Sequence, residues 1–241
     1  MGLVEGSIAV KAVINSKYRI VNKIYINKEK KGSDVAFIVN QAQKKKIKVE
    51  KVDQEIINQI ANGKTHGGLV ADVSERKTQS IVALLKKDKP FIVLLEGVED
   101  SFNLGYIFRT LYAFGCDGII MKERYIDYDD SIIIKSSAGA SEFLPIVYSN
   151  DLAGSIEILK NNGITVVSAY RGKNPVNLYD YDFFNKGLLV CIGGPLRGLS
   201  KVVLDNSDSF IYIPYSNDFK NSLNAASATS VIASEIYRQN R

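Results

Sequence analysis

Two stretches of this chain have residue types and spacing that could hold a small ligand. The apolar run LLVCI ends in Gly193-Gly194, and FIYIP is followed by Ser222-Leu223-Asn224 at the head of an Ala- and Ser-rich stretch. Dinucleotide folds keep their G-x-G-x-x-G after the first strand, where a helix N-terminus meets a pyrophosphate. Here the first strongly apolar strand, Phe91 to Leu95, runs into EGVEDSFNLG, which offers no such cradle. A late glycine turn therefore suits a ligand that the backbone approaches closely but that carries no phosphates. The commonest nucleoside of that kind is S-adenosylmethionine. Cys116 and Cys191 sit in apolar stretches and read as buried free thiols of a reducing compartment. One histidine and two separated cysteines match no zinc spacing, so no metal is expected.

These residues need a scaffold, and 241 residues with 46% hydrophobic content suffice for one large core or two modest ones. SIAVKAVINS reads as a helix, KIYIN as a strand and SDVAFIVNQAQKKK as a helix capped by Ser33, with Phe37 on its core face. IKVEKV then reads as a strand, DQEIINQIANG as a helix ending at Gly63, and GGLVADVS as a strand. Further on, FIVLL has the uniform apolarity of a strand covered on both faces, and Asn103 can cap the helix LGYIFRTLYAF, which stops at Gly115. DGIIM is a strand, a capped helix runs from Asp151 to Gly163, ITVVSAY and KGLLVCI are strands, and a last helix spans Ser222 to Gln239. Strand–helix–strand order with short links argues for a parallel α/β sheet, and the expected division is a domain over 1–80, a linker over 81–89 and a domain over 90–241. Ligands of such sheets bind at the carboxyl ends of strands, which makes Ala169-Tyr170 a pocket wall.

Charge separates the two pieces. Residues 1–89 carry 18 Lys and Arg against 9 Asp and Glu, residues 90–241 carry 13 against 17, and the net +5 conceals the contrast. The clusters KEKKG and QKKKIKVEK are either solvated faces or a polyanion grip, and the asymmetry across whole domains favours the grip, with RNA as partner. His66, in GKTHGG, reads as a loop contact to RNA or as turn packing, and Tyr18 and Tyr25 could stack on bases. No run approaches the length of a membrane span, and MGLVEGSIAVKAV lacks the marks of a signal peptide, so no membrane partner and a cytoplasmic location are expected.

Three segments carry a resemblance. FNLGYIFRTLYAFG, LVCIGGPLRGLS and IPYSNDFKNSLNAAS resemble, in order and spacing, the three motifs of the SpoU (TrmH) branch of the SPOUT RNA methyltransferases, over about residues 90–241. GSIAVKAV and GKTHGGLVADVS are similar to the substrate-binding domain that often precedes it. The resemblance implies an α/β fold: a parallel-sheet SPOUT domain with a deep trefoil knot at its C-terminal end, preceded by a small α/β RNA-binding domain resembling a ribosomal protein fold. It also implies methyl transfer from S-adenosylmethionine to a ribose 2′-hydroxyl in structured RNA, ribosomal RNA ahead of transfer RNA. The enzyme it implies is a homodimer with its active site at the subunit interface.

Position in the motifs assigns the roles that the resemblance implies. Asn103 and Arg109 match the functional pair of the first motif, and Ser222 and Asn224 the polar positions of the third. Gly193, Ile213 and Leu223 fall where the family contacts its cofactor, with Gly194 permitting the close turn and Ala169 adding a wall. A guanidinium stays protonated near neutrality, so Arg109 is expected to orient the nucleophile, neutralise a phosphate and stabilise alkoxide character rather than act as a base. Without the motifs, Arg109 reads as a helix-surface arginine beside a capping asparagine, and Ser222 as a helix cap. Pro195 stands where many relatives carry a glutamate, and proline offers neither charge nor an N–H. The alternative expectation is a noncatalytic RNA-binding or ribosome-assembly factor that keeps the fold.

Overall fold

The computed structural model describes residues 2–123, 128–172, 174–218 and 220–241, so part of the acidic loop YIDYDD and Phe219 of the third motif lie outside the described residues. The chain forms two compact units, Met1–Lys77 with Asp129–Phe143, and Thr78–Tyr128 with Leu144–Arg241.

The first unit contains β1 (Gly2–Glu5), α1 (Ser7–Asn15), β2 (Val21–Asn27), α2 (Ser33–Lys44), β3 (Lys48–Val52), α3 (Gln54–Ile60) and β4 (Leu69–Val73). The sheet order is β1-β4-β2-β3, antiparallel except for the β2–β3 pair. Several expectations are corrected. Ser33 is the first helical residue of α2, with Gly32 at the N-cap and no side-chain cap. Phe37 is 41% exposed, because the buried stripe of α2 runs through Ile38 and Ala42, one position along; Lys11 Nζ lies 5.5 Å from its ring centroid. α3 ends at Ile60, before Gly63. His66 is buried and its Nδ1 accepts from the Gly68 amide at 3.1 Å, which is turn packing. Cations already cover both candidate stacking rings, Arg76 over Tyr18 and Lys23 over Tyr25. Part of each lysine cluster is likewise engaged, Lys28 with Asp53 and Lys48 with Glu50 at 3.9 Å. Lys31, Lys44, Lys46 and Lys51 are exposed and have no ion-pair partner among the described residues.

The second unit is one parallel sheet. Its elements are β5 (Phe91–Glu96), α4 (Ser101–Ala113), β6 (Gly118–Lys122), β7 (Ile146–Ser149), α6 (Leu152–Asn161), β8 (Thr165–Ala169), β9 (Val176–Asn177), β10 (Leu188–Gly193), α7 (Lys201–Asp205), β11 (Ser209–Tyr212) and α8 (Ala225–Asn240). Strand order is β7-β6-β5-β10-β8-β11-β9, and every neighbouring pair is parallel. β5 and β10 lie at its centre and are buried almost throughout, as their uninterrupted apolar sequence requires. α4 starts earlier than the sequence suggests: Asp100 is its N-cap, accepting from the Asn103 amide at 2.7 Å, and Asn103 lies inside the first turn. The Leu104, Ile107, Phe108 and Leu111 face of α4 is buried, and α4 packs along α8, where Thr110 Oγ1 and Ser230 Oγ are 3.2 Å apart.

Between β6 and β7 in the sequence, α5 (Asp130–Ser136) and the 3-10 turn Ala140–Phe143 return to the first unit. Reading along the chain places them with 90–241; packing places Ile134, 1% exposed, among Val10, Ile14, Ile24 and Leu69. Glu142 supports this arrangement. Its carboxylate is fully buried and accepts from Arg19 Nε at 3.1 Å and Arg76 Nη1 at 3.2 Å, while Arg19 Nη2 donates to Asp130 at 2.7 Å. Burial alone would lower the pKa of Arg19, but the Glu142 and Asp130 carboxylates outweigh it and hold the guanidinium above its ordinary value.

Cys116 and Cys191 are free and buried, and burial pushes both thiols up to about 12. The thiolate is the reactive form. Ellman's reagent at pH 8 is therefore expected to titrate neither cysteine in the native chain and both after denaturation; rapid native labelling of either would contradict their burial.

Candidate functional site

A cavity of about 330 Å³ opens at the carboxyl ends of β8, β10 and β11. Its walls are Ala169 to Arg171, the Ile192–Leu199 turn, Ile211 to Ile213 with Tyr215, and Ser222 and Leu223 with the first turns of α8. Of the residues singled out from the sequence, Ala169, Gly193, Gly194, Ile213, Ser222 and Leu223 line it, and Asn103, Arg109 and Asn224 do not. Asn224 is instead the N-cap of α8, its Oδ1 accepting from the Ser227 amide at 2.8 Å, so the cap is not Ser222. Arg109 is exposed on α4 and makes no hydrogen bond or ion pair with any described residue.

The two glycines are required by the chain's own backbone. The Gly194 amide donates to the Glu96 carbonyl at 2.6 Å, and a Cβ on Gly194 would lie 1.8 Å from the Gly97 carbonyl oxygen. On Gly193 it would lie 2.5 Å from the carbonyl carbon of Gly198. The close approach expected between glycine and ligand is thus first an approach between the end of β5 and the turn after β10. Gly194→Ala must push backbone against backbone, with an expected loss of about 1–3 kcal/mol in a urea melt. A neutral substitution would show that the turn has room to move.

Three residues that the sequence reading missed brace the walls. Glu96, buried at the end of β5, accepts from the Ser200 amide at 2.7 Å, and Ser200 in turn caps α7. A carboxylate closing a wholly apolar strand was the available signal. Tyr215 accepts from the Leu223 amide through its hydroxyl at 2.9 Å, joining the segment after β11 to the approach to α8. Arg171 donates to the Ile213 carbonyl at 3.0 Å and stacks on the Tyr215 ring, with Cζ 4.1 Å from the centroid. The only charged side chains lining the cavity among the described residues are Arg171 and Arg197; Pro195 lines it without charge, and no carboxylate does. Among the described residues no cluster of His, Cys, Asp and Glu could hold a metal ion, and no helix is long and apolar enough to cross a membrane.

Comparison with known proteins agrees with this architecture. The sequence model of the SpoU rRNA Methylase family matches residues 90–234, and that for RNA 2′-O ribose methyltransferase substrate binding matches residues 3–79. A protein of Staphylococcus aureus (strain COL) described as a TrmH family tRNA/rRNA methyltransferase is 32% identical over 226 residues, 91% of this chain and 89% of its own. Its counterpart in Staphylococcus saprophyticus is 32% identical over 244 residues, 98% of this chain and 95% of its own. In fold, the chain is similar to the SpoU methyltransferase AviRb of Streptomyces viridochromogenes, solved in complex with the cofactor AdoMet. The TM-score is 0.80 at 22% identity, covering 98% of this chain and 89% of that one. A catalytic-unit match spanning more than half the sequence, together with relatives aligned along nearly all of it, establishes that this chain belongs to the SpoU/TrmH family of RNA methyltransferases.

Proposed function

We propose that the chain transfers a methyl group from S-adenosylmethionine to a ribose 2′-hydroxyl of structured RNA, ribosomal RNA ahead of transfer RNA. The observation that carries this reading is the cavity, whose walls unite the second and third motifs at the carboxyl ends of three parallel strands. Its residues suit a nucleoside: the volume falls within the range of about 300–1,000 Å³ for small-molecule sites, and apolar side chains surround exposed backbone. Gly193 and Gly194 let the turn after β10 close against Gly97 and Gly198, which shapes that backbone wall. Ile213, Leu223 and Ala169 would pack on the adenine, and Ser222 would face the substrate ribose. When bound, the sulfonium cofactor supplies a methyl group to an oxygen nucleophile, leaving a neutral thioether and a released proton. Arg109 would hold the target hydroxyl and an adjacent phosphate, lowering the barrier through alignment and charge.

Arg109 does not line its own chain's cavity, which supports a homodimer in which a second copy brings the guanidinium to the site. Exposed Phe102, Tyr106 and Tyr112 on α4 and Tyr237 on α8 support the same reading. The same reading includes the knot expected from the motifs, which would bring the turn after β10 and the Ser222-Leu223 segment to one cavity.

The test is incubation with methyl-labelled S-adenosylmethionine and bulk stable RNA. Label is expected in alkali-resistant dinucleotides, because a 2′-O-methyl group blocks cleavage by the neighbouring oxygen. No transfer to any RNA fraction, under conditions in which the cofactor binds, would overturn the reading. One observation favours the noncatalytic alternative: Pro195 leaves the cavity wall without a carboxylate.

A further inference from the structure

Beside the cavity, on the far side of the Arg171–Tyr215 stack, the second unit carries an open groove of about 670 Å³. Arg171, Pro175, Tyr212, Tyr215, Asn217, Asp218 and Lys220 line it, and Arg171, Tyr212 and Tyr215 line the cavity as well. The two concavities therefore share a wall, and a polymer whose reacting unit occupies the cavity mouth must continue along a neighbouring surface. This surface has two cations against one carboxylate, two aromatic residues and an amide. Its chemistry is that of single-stranded nucleic-acid binding, where aromatic rings stack on bases and cations follow the phosphates. The hydrogen bond from Arg171 to the Ile213 carbonyl and its stacking on Tyr215 fix the guanidinium before a ligand arrives, so little side-chain freedom remains to be lost. Lys220 is exposed and makes no hydrogen bond or ion pair with any described residue.

Resting on the function proposed above, we propose that this groove holds the unpaired RNA nucleotide flanking the methylated one. Its base lies against Tyr212, whose ring carries no cation among the described residues, and its phosphate on Arg171 and Lys220. The catalytic unit thereby reads local strandedness around the target, a task separate from the grip of the basic first unit.

The test uses the full chain and an oligouridylate of about a dozen nucleotides, with S-adenosylhomocysteine binding measured in parallel by calorimetry. Lys220 lies outside the cavity, so Lys220→Glu is expected to weaken oligouridylate binding on the order of tenfold. The slope of log affinity against log salt should become shallower by about 0.7 for the lost phosphate contact. S-adenosylhomocysteine affinity should be unchanged, and Lys220→Arg should restore RNA binding. Zero-length ultraviolet crosslinks should map to the peptide containing Tyr212 and Tyr215. Crosslinks confined to residues 1–80 with Lys220→Glu binding normally would overturn the proposal, as would loss of S-adenosylhomocysteine affinity in that variant, which would assign the groove to the cofactor. Failure of the unaltered chain to bind S-adenosylhomocysteine would count against the methyltransferase reading alone, and the crosslink map would still decide the groove.

Discussion

Arg109→Ala is expected to slow methyl transfer by about 10²–10³-fold while leaving the fold intact, the loss typical of removing one donor aimed at developing negative charge. Arg109 is exposed and bonds to no described residue, so its truncation should change unfolding free energy by no more than about 0.5 kcal/mol. On the proposed mechanism its cost should then appear at the transition state. Single-turnover kinetics at saturating RNA separate this from weakened binding: a pure RNA binder would lose salt-sensitive affinity and nothing else. Arg109→Lys, which keeps the charge but not the planar fork, is expected to recover only part of the rate. Full activity in Arg109→Ala would remove this residue from the mechanism.

Glu142→Ala is expected to destabilise the first unit by about 3–5 kcal/mol, because it leaves the Arg19 guanidinium buried without its principal counter-charge. The side chain of Arg19 is 3% exposed, and Asp130 reaches only its Nη2. Glu142→Gln keeps an acceptor and should fall between the two. Urea denaturation followed by far-ultraviolet circular dichroism reads the difference; a loss below about 1 kcal/mol would show that water or a shifted backbone compensates the arginine. The same network implies that residues 1–80 expressed alone would leave Arg19 without Glu142 and Asp130 and open the core around Ile134, so an isolated fragment needs 129–143 to be stable.

The helices and central strands were legible because their patterns are local. FIVLL, DGIIM and KGLLVCI have the apolarity of strands covered on both faces, and they became β5, β6 and β10. What escaped depends on distant partners. β1 is four residues long and owes its existence to pairing with β4, and α5 presents a run of isoleucines whose core lies in the first unit's β-strands and helices, from Val4 to Val73. Capping choices failed for a different reason. Asp100 and Asn103, or Ser222 and Asn224, are equally competent acceptors, and the direction in which the chain leaves the preceding loop decides between them. In the site, motif spacing found the residues that must be small or must lie on the wall. Arg171, Glu96 and Tyr215 act through contacts between separate segments around the cavity, which motif spacing does not encode.

The place of β10 in the sheet order constrains how the chain is made. β5 pairs on one side with β6, which follows it closely, but its other edge waits for Leu188–Gly193. At about 5–20 residues per second, synthesis leaves that edge without its native partner for roughly five to twenty seconds. During that interval the most apolar strand of the unit is a template for any extended segment nearby. Nascent chains of this protein should therefore depend on holding factors at the ribosome until the last quarter emerges, and slowing translation after residue 122 should raise the aggregated fraction.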